Sequence, residues 1–196
     1  MAPEQRREQL IDAALSVIVQ HGYEGVSIEA IARTAGVTRP VIYDHFPNLG
    51  RLLEAVIERE EQFALQQLAR VVPATPRTDG EPSELFAAGV RSFLDVVVSR
   101  PDTWRIILLP PEGTPPTVRE HVARNRALTQ ERIEALVRWA IERSGILHDL
   151  DVELCARAIR SLSEEAGRSV LTDRETYSPE RYEGFVLAVM KLIWSG

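Results

Sequence analysis

At 196 residues and 22.0 kDa, with 44% hydrophobic and 27% charged side chains, the chain can build one sizeable packed domain or a small one joined to a medium one. A net charge of −6 excludes a surface that is cationic throughout, so any polyanion must be met by a local basic patch. The lone cysteine, Cys155, excludes an intrachain disulfide and a CxxC zinc site, and no apolar run approaches the ~20 residues of a membrane span.

Almost every apolar pattern has helical spacing. Leu10, Ala14 and Ile18, flanked by Ile11 and Leu15, predict a first helix of about five turns, stopped at Gly22. Ser27 is placed to cap a short second helix over Ile28–Ala32 that halts at Gly36. Thr38 or Arg39 opens a short third helix with Pro40 in its first turn, where a missing N–H costs nothing; Arg39, preceding proline, is itself a candidate cap. Pro47 ends that segment, and Asn48 caps a long fourth helix with Leu52, Leu53, Val56, Ile57, Phe63, Ala64 and Leu68 on its apolar face. Pro73–Pro82, with three prolines and a glycine, reads as a linker. Helices resume over about Ser83–Ser99 and Pro101–Leu109, break at Pro110–Pro116, and run on to about Arg143. Two more follow at about Asp151–Leu171 and Pro179–Trp194. No strand-period segment and no internal repeat is found. The expectation is an all-α fold of about nine helices.

The stretch from Ser27 to Phe46 carries the functional signal. Two helices too short to stand alone are joined by a tight turn, so they must pack on a third. Ile31, Ala35, Val37 and Ile42 point inward together, Ala32 is small where the helices cross, and Gly36 sits where the turn calls for a positive φ. This is helix-turn-helix grammar, in which the second helix of the motif offers its outer face to a DNA major groove. At 100° per residue, Ile42 and Phe46 fall on the buried side of the third helix, and Pro40, Val41, Tyr43 and Asp44 on the outward arc. Val, Tyr and Pro make a poor solvated face but suit thymine methyls and the sugar-phosphate backbone. Residues 33–51 hold three arginines and one acid, a local +2 within the −6 chain.

Gly36-Val37-Thr38-Arg39-Pro40-Val41-Ile42-Tyr43-Asp44-His45-Phe46-Pro47-Asn48, led by His21-Gly22-Tyr23 and Val26-Ser27-Ile28, resembles the signature of the TetR family of transcriptional regulators. The resemblance covers residues 5 to about 57 and beyond them extends only to architecture. It implies a helix-turn-helix DNA-binding domain over 1–47 and an effector-binding and dimerisation domain over 48–196. It implies a homodimer on a palindromic double-stranded operator, acting as a repressor released by a small-molecule effector, and a reducing cytoplasm fits the lone cysteine and the absence of a long apolar run. In that scheme Ser27 touches phosphate, and Thr38, Arg39, Pro40 and Val41 approach base edges. Tyr43 and His45 anchor phosphates, while Glu29 and Asp44, both near the expected interface, must find a cytosine amino group or be repelled. His45 has a second reading, packing beside Phe46. Family members commonly carry Lys where this chain has Leu49, so either Arg51 substitutes from the next turn or one phosphate contact is missing.

Beyond Asn48, Phe63, Phe86, Phe93, Trp104, His121 and Trp139 are candidates for an apolar effector cavity, each with core packing as the alternative. Arg105, Arg124 and Arg126, with His121, are candidate partners for an anionic effector. Leu154, Ala158, Leu162 and Ala166 at four-residue spacing, and Phe185, Val189, Leu192 and Ile193, predict a four-helix interface across a two-fold axis, unless they only close the monomer core. The polar first ten residues are no signal peptide. No cofactor or metal is expected. A di-iron enzyme is excluded because the residues three before His21, His45, His121 and His148 are Ile18, Ile42, Val118 and Gly145. A helical protein-binding adaptor and an activator of the same family remain as rival readings.

Overall fold

Helical periodicity, proline at first turns and glycine or proline at stops produce helices wherever they occur together. The computed structural model describes residues 2–72, 81–111, 113–144 and 149–194. Among them stand nine helices and no strand: α1 (Pro3–His21), α2 (Ile28–Ala35), α3 (Arg39–Tyr43), α4 (Leu49–Val71), α5 (Pro82–Ser99), α6 (Pro101–Leu108), α7 (Pro116–Ser144), α8 (Val152–Thr172) and α9 (Pro179–Trp194). Boundaries agree with the sequence reading to within about a turn. Most of the expected Pro73–Pro82 linker lies outside the described residues; its end, Pro82, is the first residue of α5. None of the described helices is long and apolar enough to cross a membrane.

The chain divides into two compact units. The first runs to Ala64 and takes in Asp102–Val122. Its core joins Leu10, Ile11, Ala14 and Ile18 of α1, Ile28, Ile31 and Ala35 of α2, Ile42 and Phe46, Leu52 and Val56 of α4, and Ile106 of α6. Each large aliphatic among them contributes about 1.5–3 kcal/mol by leaving water. Leu52, Ala55 and Val56 of α4 lie in the same cluster as residues of α1–α3.

Polar ties reinforce this unit. Glu60 of α4 is fully buried, accepts from Arg59 Nε at 2.8 Å, and takes the hydroxyl of buried Thr103 on α6. Arg59 also reaches Glu8 at 2.9 Å and Asp12 at 2.7 Å on α1. Burial pulls the Arg59 pKa down, but the hydrogen bonds to Glu8 and Glu60 more than reverse this, leaving it above its ordinary value. Removing one member of a buried charged set leaves its partners stranded. Glu60→Ala is expected to lower stability by ~3–5 kcal/mol, read as a lower urea midpoint.

Tyr23, in the α1–α2 connection, packs against the same core. Its hydroxyl is buried with no hydrogen-bond partner among the described residues, and burial pushes its pKa up to about 12. The folded chain thus keeps that proton to higher pH than the unfolded chain, whose tyrosine ionises near 10.0. Stability is lost as pH rises from there towards 12. Tyr23→Phe is expected to stabilise by about 1 kcal/mol at neutral pH, because an unsatisfied hydroxyl is removed. Its advantage over the parent should widen in urea titrations at pH 11.

The second unit comprises Leu65–Pro101 and the chain from Ala123 onward. Here α5 packs on α8 and α9, and Phe86, Ile133, Val137, Ala140 and Ala156 form a cluster with Trp139 and Val186 at its edge. Arg91 of α5 is a polar clamp, reaching Asp95 at 2.9 Å, Glu180 at 2.8 Å and Glu183 at 3.2 Å on its own helix and α9.

Candidate nucleic-acid interface

Ser27 begins α2 in extended conformation, and its Oγ accepts from the Ala30 N–H at 3.1 Å. A hydroxyl that accepts at a cap keeps its own O–H to donate, so capping and phosphate contact are compatible. Gly36 has φ +65 and ψ 36, the left-handed geometry the turn requires, and its N–H meets the last carbonyls of α2. Another of those carbonyls, Ala35, accepts from Gln9 Nε2 of α1 at 2.9 Å. Thr38, not Arg39, is the cap of α3, and its side chain makes no capping bond. Asn48 receives the Arg51 N–H at 3.0 Å, as expected for a cap of α4.

Ile42 and Phe46 are fully buried, and the guanidinium of Arg7 lies 4.9 Å above the Phe46 ring. On the other side Thr38, Arg39, Pro40 and Asp44 are exposed, Tyr43 is 45% exposed, and Val41 and His45 are half-buried. Of the arc deduced from a 100° rotation, Pro40, Tyr43 and Asp44 are exposed, while Val41 is partly covered. Leu49 packs against the head core, leaving exposed Arg51 as the nearby cation.

Charge is distributed differently from the local +2 seen in residues 33–51. Arg39 pairs with Glu29 of α2 at 2.9 Å, and Arg51 pairs with Glu54 at 2.6 Å. Over residues 29–54 the three arginines face three acids, Glu29, Asp44 and Glu54. The two pairs bring acids from just outside the counted window onto its arginines. The Glu29–Arg39, Arg7–Phe46 and Gln9–Ala35 contacts had no signal in the sequence, since each joins different elements of the fold.

The six effector-pocket candidates divide. Phe63, buried Trp104 and His121 lie in the first unit, and His121 is tied to Glu61 of α4. Phe86, Phe93 and Trp139 lie in the second, where Phe86 and Trp139 share a cluster. Arg105 pairs with Asp102 at 3.1 Å and Arg126 with Glu164 at 3.1 Å, while Arg124 is exposed.

Of the expected interface residues, Leu154, Leu162, Phe185 and Leu192 are 60–79% exposed, Ala158 is exposed, and Val189 is half-buried. Ala166 is the exception, buried within its own chain at 3%. Steps of four residues advance 400°, so three of them turn Ala166 about 120° away from Leu154 and into the core. The Ile193 side chain lies outside the described residues.

Residues 10–56 match the family model described as "Bacterial regulatory proteins, tetR family". The HTH-type transcriptional activator FasR of Mycolicibacterium smegmatis is 32% identical over 119 residues, 61% of this chain and 52% of that protein. The chain thus spans about half the length of that relative. A transcriptional regulator of Pseudomonas aeruginosa PAO1 has the same fold over 100% of this chain and 93% of its own, with a TM-score of 0.75 and 20% identity. A Bacillus subtilis FadR, solved with stearoyl-CoA, covers 93% of this chain and 96% of its own, with a TM-score of 0.69 and 19% identity. Residues 10–56 thus form a head of the kind found in the tetR family of bacterial regulatory proteins, and the rest of the chain shares the helical fold of the solved regulators.

Proposed function

We propose that the chain is a ligand-responsive transcriptional regulator that grips a palindromic operator as a homodimer in the cytoplasm. Residues 1–47 serve as the DNA-binding head, and 48–196 bind the effector and pair the subunits. One observation carries this reading: the outer arc of α3 exposes Arg39, Pro40 and Tyr43 while Ile42 and Phe46 anchor the same helix. A five-residue helix held from behind, with an arginine, a proline and a tyrosine in front, suits the floor of a major groove. Thr38, Arg39, Pro40 and Val41 address base edges. Ser27, Tyr43, His45 and Arg51 hold phosphates.

The exposed face of Leu154, Ala158, Leu162, Phe185 and Leu192 supports a second copy of the chain as its occupant. Large apolar side chains lined up on two helices are costly in water, and a two-fold axis covers both copies at once. An effector that binds one spacing of the two heads more tightly than another shifts their populations and so the affinity for DNA. Phe86 and Trp139 are the strongest candidates to contact it, being clustered within one unit. The stearoyl-CoA held by the B. subtilis FadR makes long-chain acyl-CoA the first effector to assay.

Repression is the primary reading. Activation is the second, favoured by the activator role in the name of the M. smegmatis relative. The two differ in where the operator lies relative to a promoter. Selection from random duplex DNA with the purified protein is expected to enrich an imperfect palindrome, from which acyl-CoA or another small molecule then releases it. Failure to enrich any sequence, together with salt-insensitive capture of a protein partner, would instead support the adaptor reading.

A further inference from the structure

The Glu29–Arg39 pair is an unexpected feature of the head. Arg39 is the only cation of α3, and it meets a carboxylate from the first turn of α2 at 2.9 Å. The two side chains are 57% and 56% exposed, and an ion pair so open to water adds little to folding. Beside phosphates the carboxylate is a liability, because it repels the backbone that supplies most of the affinity for DNA. An acid that contributes little to the fold and weakens general attraction is explained by what it does to its partner.

We propose that Glu29 is a positioning residue that holds the Arg39 guanidinium in register for one base pair, setting sequence discrimination at the expense of general affinity. This rests on the DNA-binding reading above. A guanidinium carries five N–H donors in one plane, so a carboxylate on Nη1 leaves donors for the O6 and N7 of a guanine. Fixing the plane through Glu29 spares the long side chain some of its rotamer entropy when the correct base is met. On a wrong base the same carboxylate keeps Arg39 occupied and leaves an acid near the phosphates. Selectivity thus comes from an unfavourable element as well as a favourable one.

The experiment compares the parent with Glu29→Gln, Glu29→Asp, Arg39→Ala and the Glu29→Gln/Arg39→Ala double variant. Each is titrated against the duplex enriched by the parent from a random library, and against a panel carrying one changed base pair at a time. Glu29→Gln should bind changed duplexes a few-fold more tightly and lose roughly tenfold discrimination at one base pair. In the Arg39→Ala background it should remove no further discrimination. Glu29→Asp keeps the charge but is one methylene too short to reach, so discrimination should fall without tighter general binding. Loss of the first-turn acid of α2 can lower the melting temperature slightly, but it would not change the base profile.

An unchanged base profile in Glu29→Gln would overturn the proposal, as would equal loss with and without Arg39. In the first case Glu29 would be merely a repelling charge, and in the second it would discriminate between bases without Arg39. If the parent enriches no duplex, the DNA-binding reading itself fails and takes this inference with it.

Discussion

Replacing Leu162 with glutamate is expected to leave each subunit folded while abolishing both self-association and tight DNA binding. Leu162 is 71% exposed within the protomer, so its removal opens no cavity in the chain's own core. In the proposed dimer it joins Leu154, Phe185 and Leu192, each of which stabilises the pair by about 1.5–3 kcal/mol on leaving water. A two-fold axis places every substitution in the interface twice, so two buried carboxylates replace two leucines. Light scattering should then report a 22.0 kDa particle at micromolar concentration in place of one twice as large. Operator affinity should fall by ~10²–10⁴-fold, because the second head loses the effective concentration its partner provides. Circular dichroism should be unchanged. A parent that is itself monomeric at micromolar concentration would refute the dimer, and a variant that stays dimeric would remove this face from it.

Much of the head was legible because local rules and tertiary packing agree there. Ser27 caps, Gly36 turns left-handed, Pro40 sits in a first turn, and Ile42 and Phe46 repeat at helical spacing on the buried side. Each of these is a short-range property. What escaped was long-range: which acid meets Arg39, which aromatic lies under Arg7, and which carbonyl Gln9 satisfies. The +2 counted over residues 33–51 failed to describe the surface for the same reason. Counting along the chain omits Glu29, which comes from the neighbouring helix.

In the C-terminal half, spacing identified faces but not their neighbours. Leu154 and Leu162 are exposed as an interface stripe should be, whereas Ala166, on the same count of four, has rotated inward. The ring of His121, a candidate for the ligand by sequence, is tied to Glu61 on α4, a neighbour that spacing along the chain does not reveal. Buried Glu60 was invisible in a run of charges that reads as a solvated face. Only the arrival of Arg59 and Thr103 makes its burial tolerable.

The head itself is tested by contrasting two neighbouring side chains. Tyr43→Ala is expected to weaken binding to every duplex alike by ~10–100-fold, the value of a hydrogen bond to a charged phosphate together with lost packing. A neutral side chain releases no counterion, so the slope of affinity against salt should not change. Tyr43→Phe separates the hydroxyl from the ring and should account for most of that loss if the phosphate bond dominates. Arg39→Ala should act differently, relaxing preference at one base pair by ~1–3 kcal/mol. Both positions are exposed, with Tyr43 at 45%, so neither change should lower the melting temperature appreciably. Because the two residues stand four apart on one short helix, a general distortion of the head would impair them together. Identical base profiles for Tyr43→Ala and Arg39→Ala would therefore refute the division of labour and leave α3 as a uniformly charged or apolar contact.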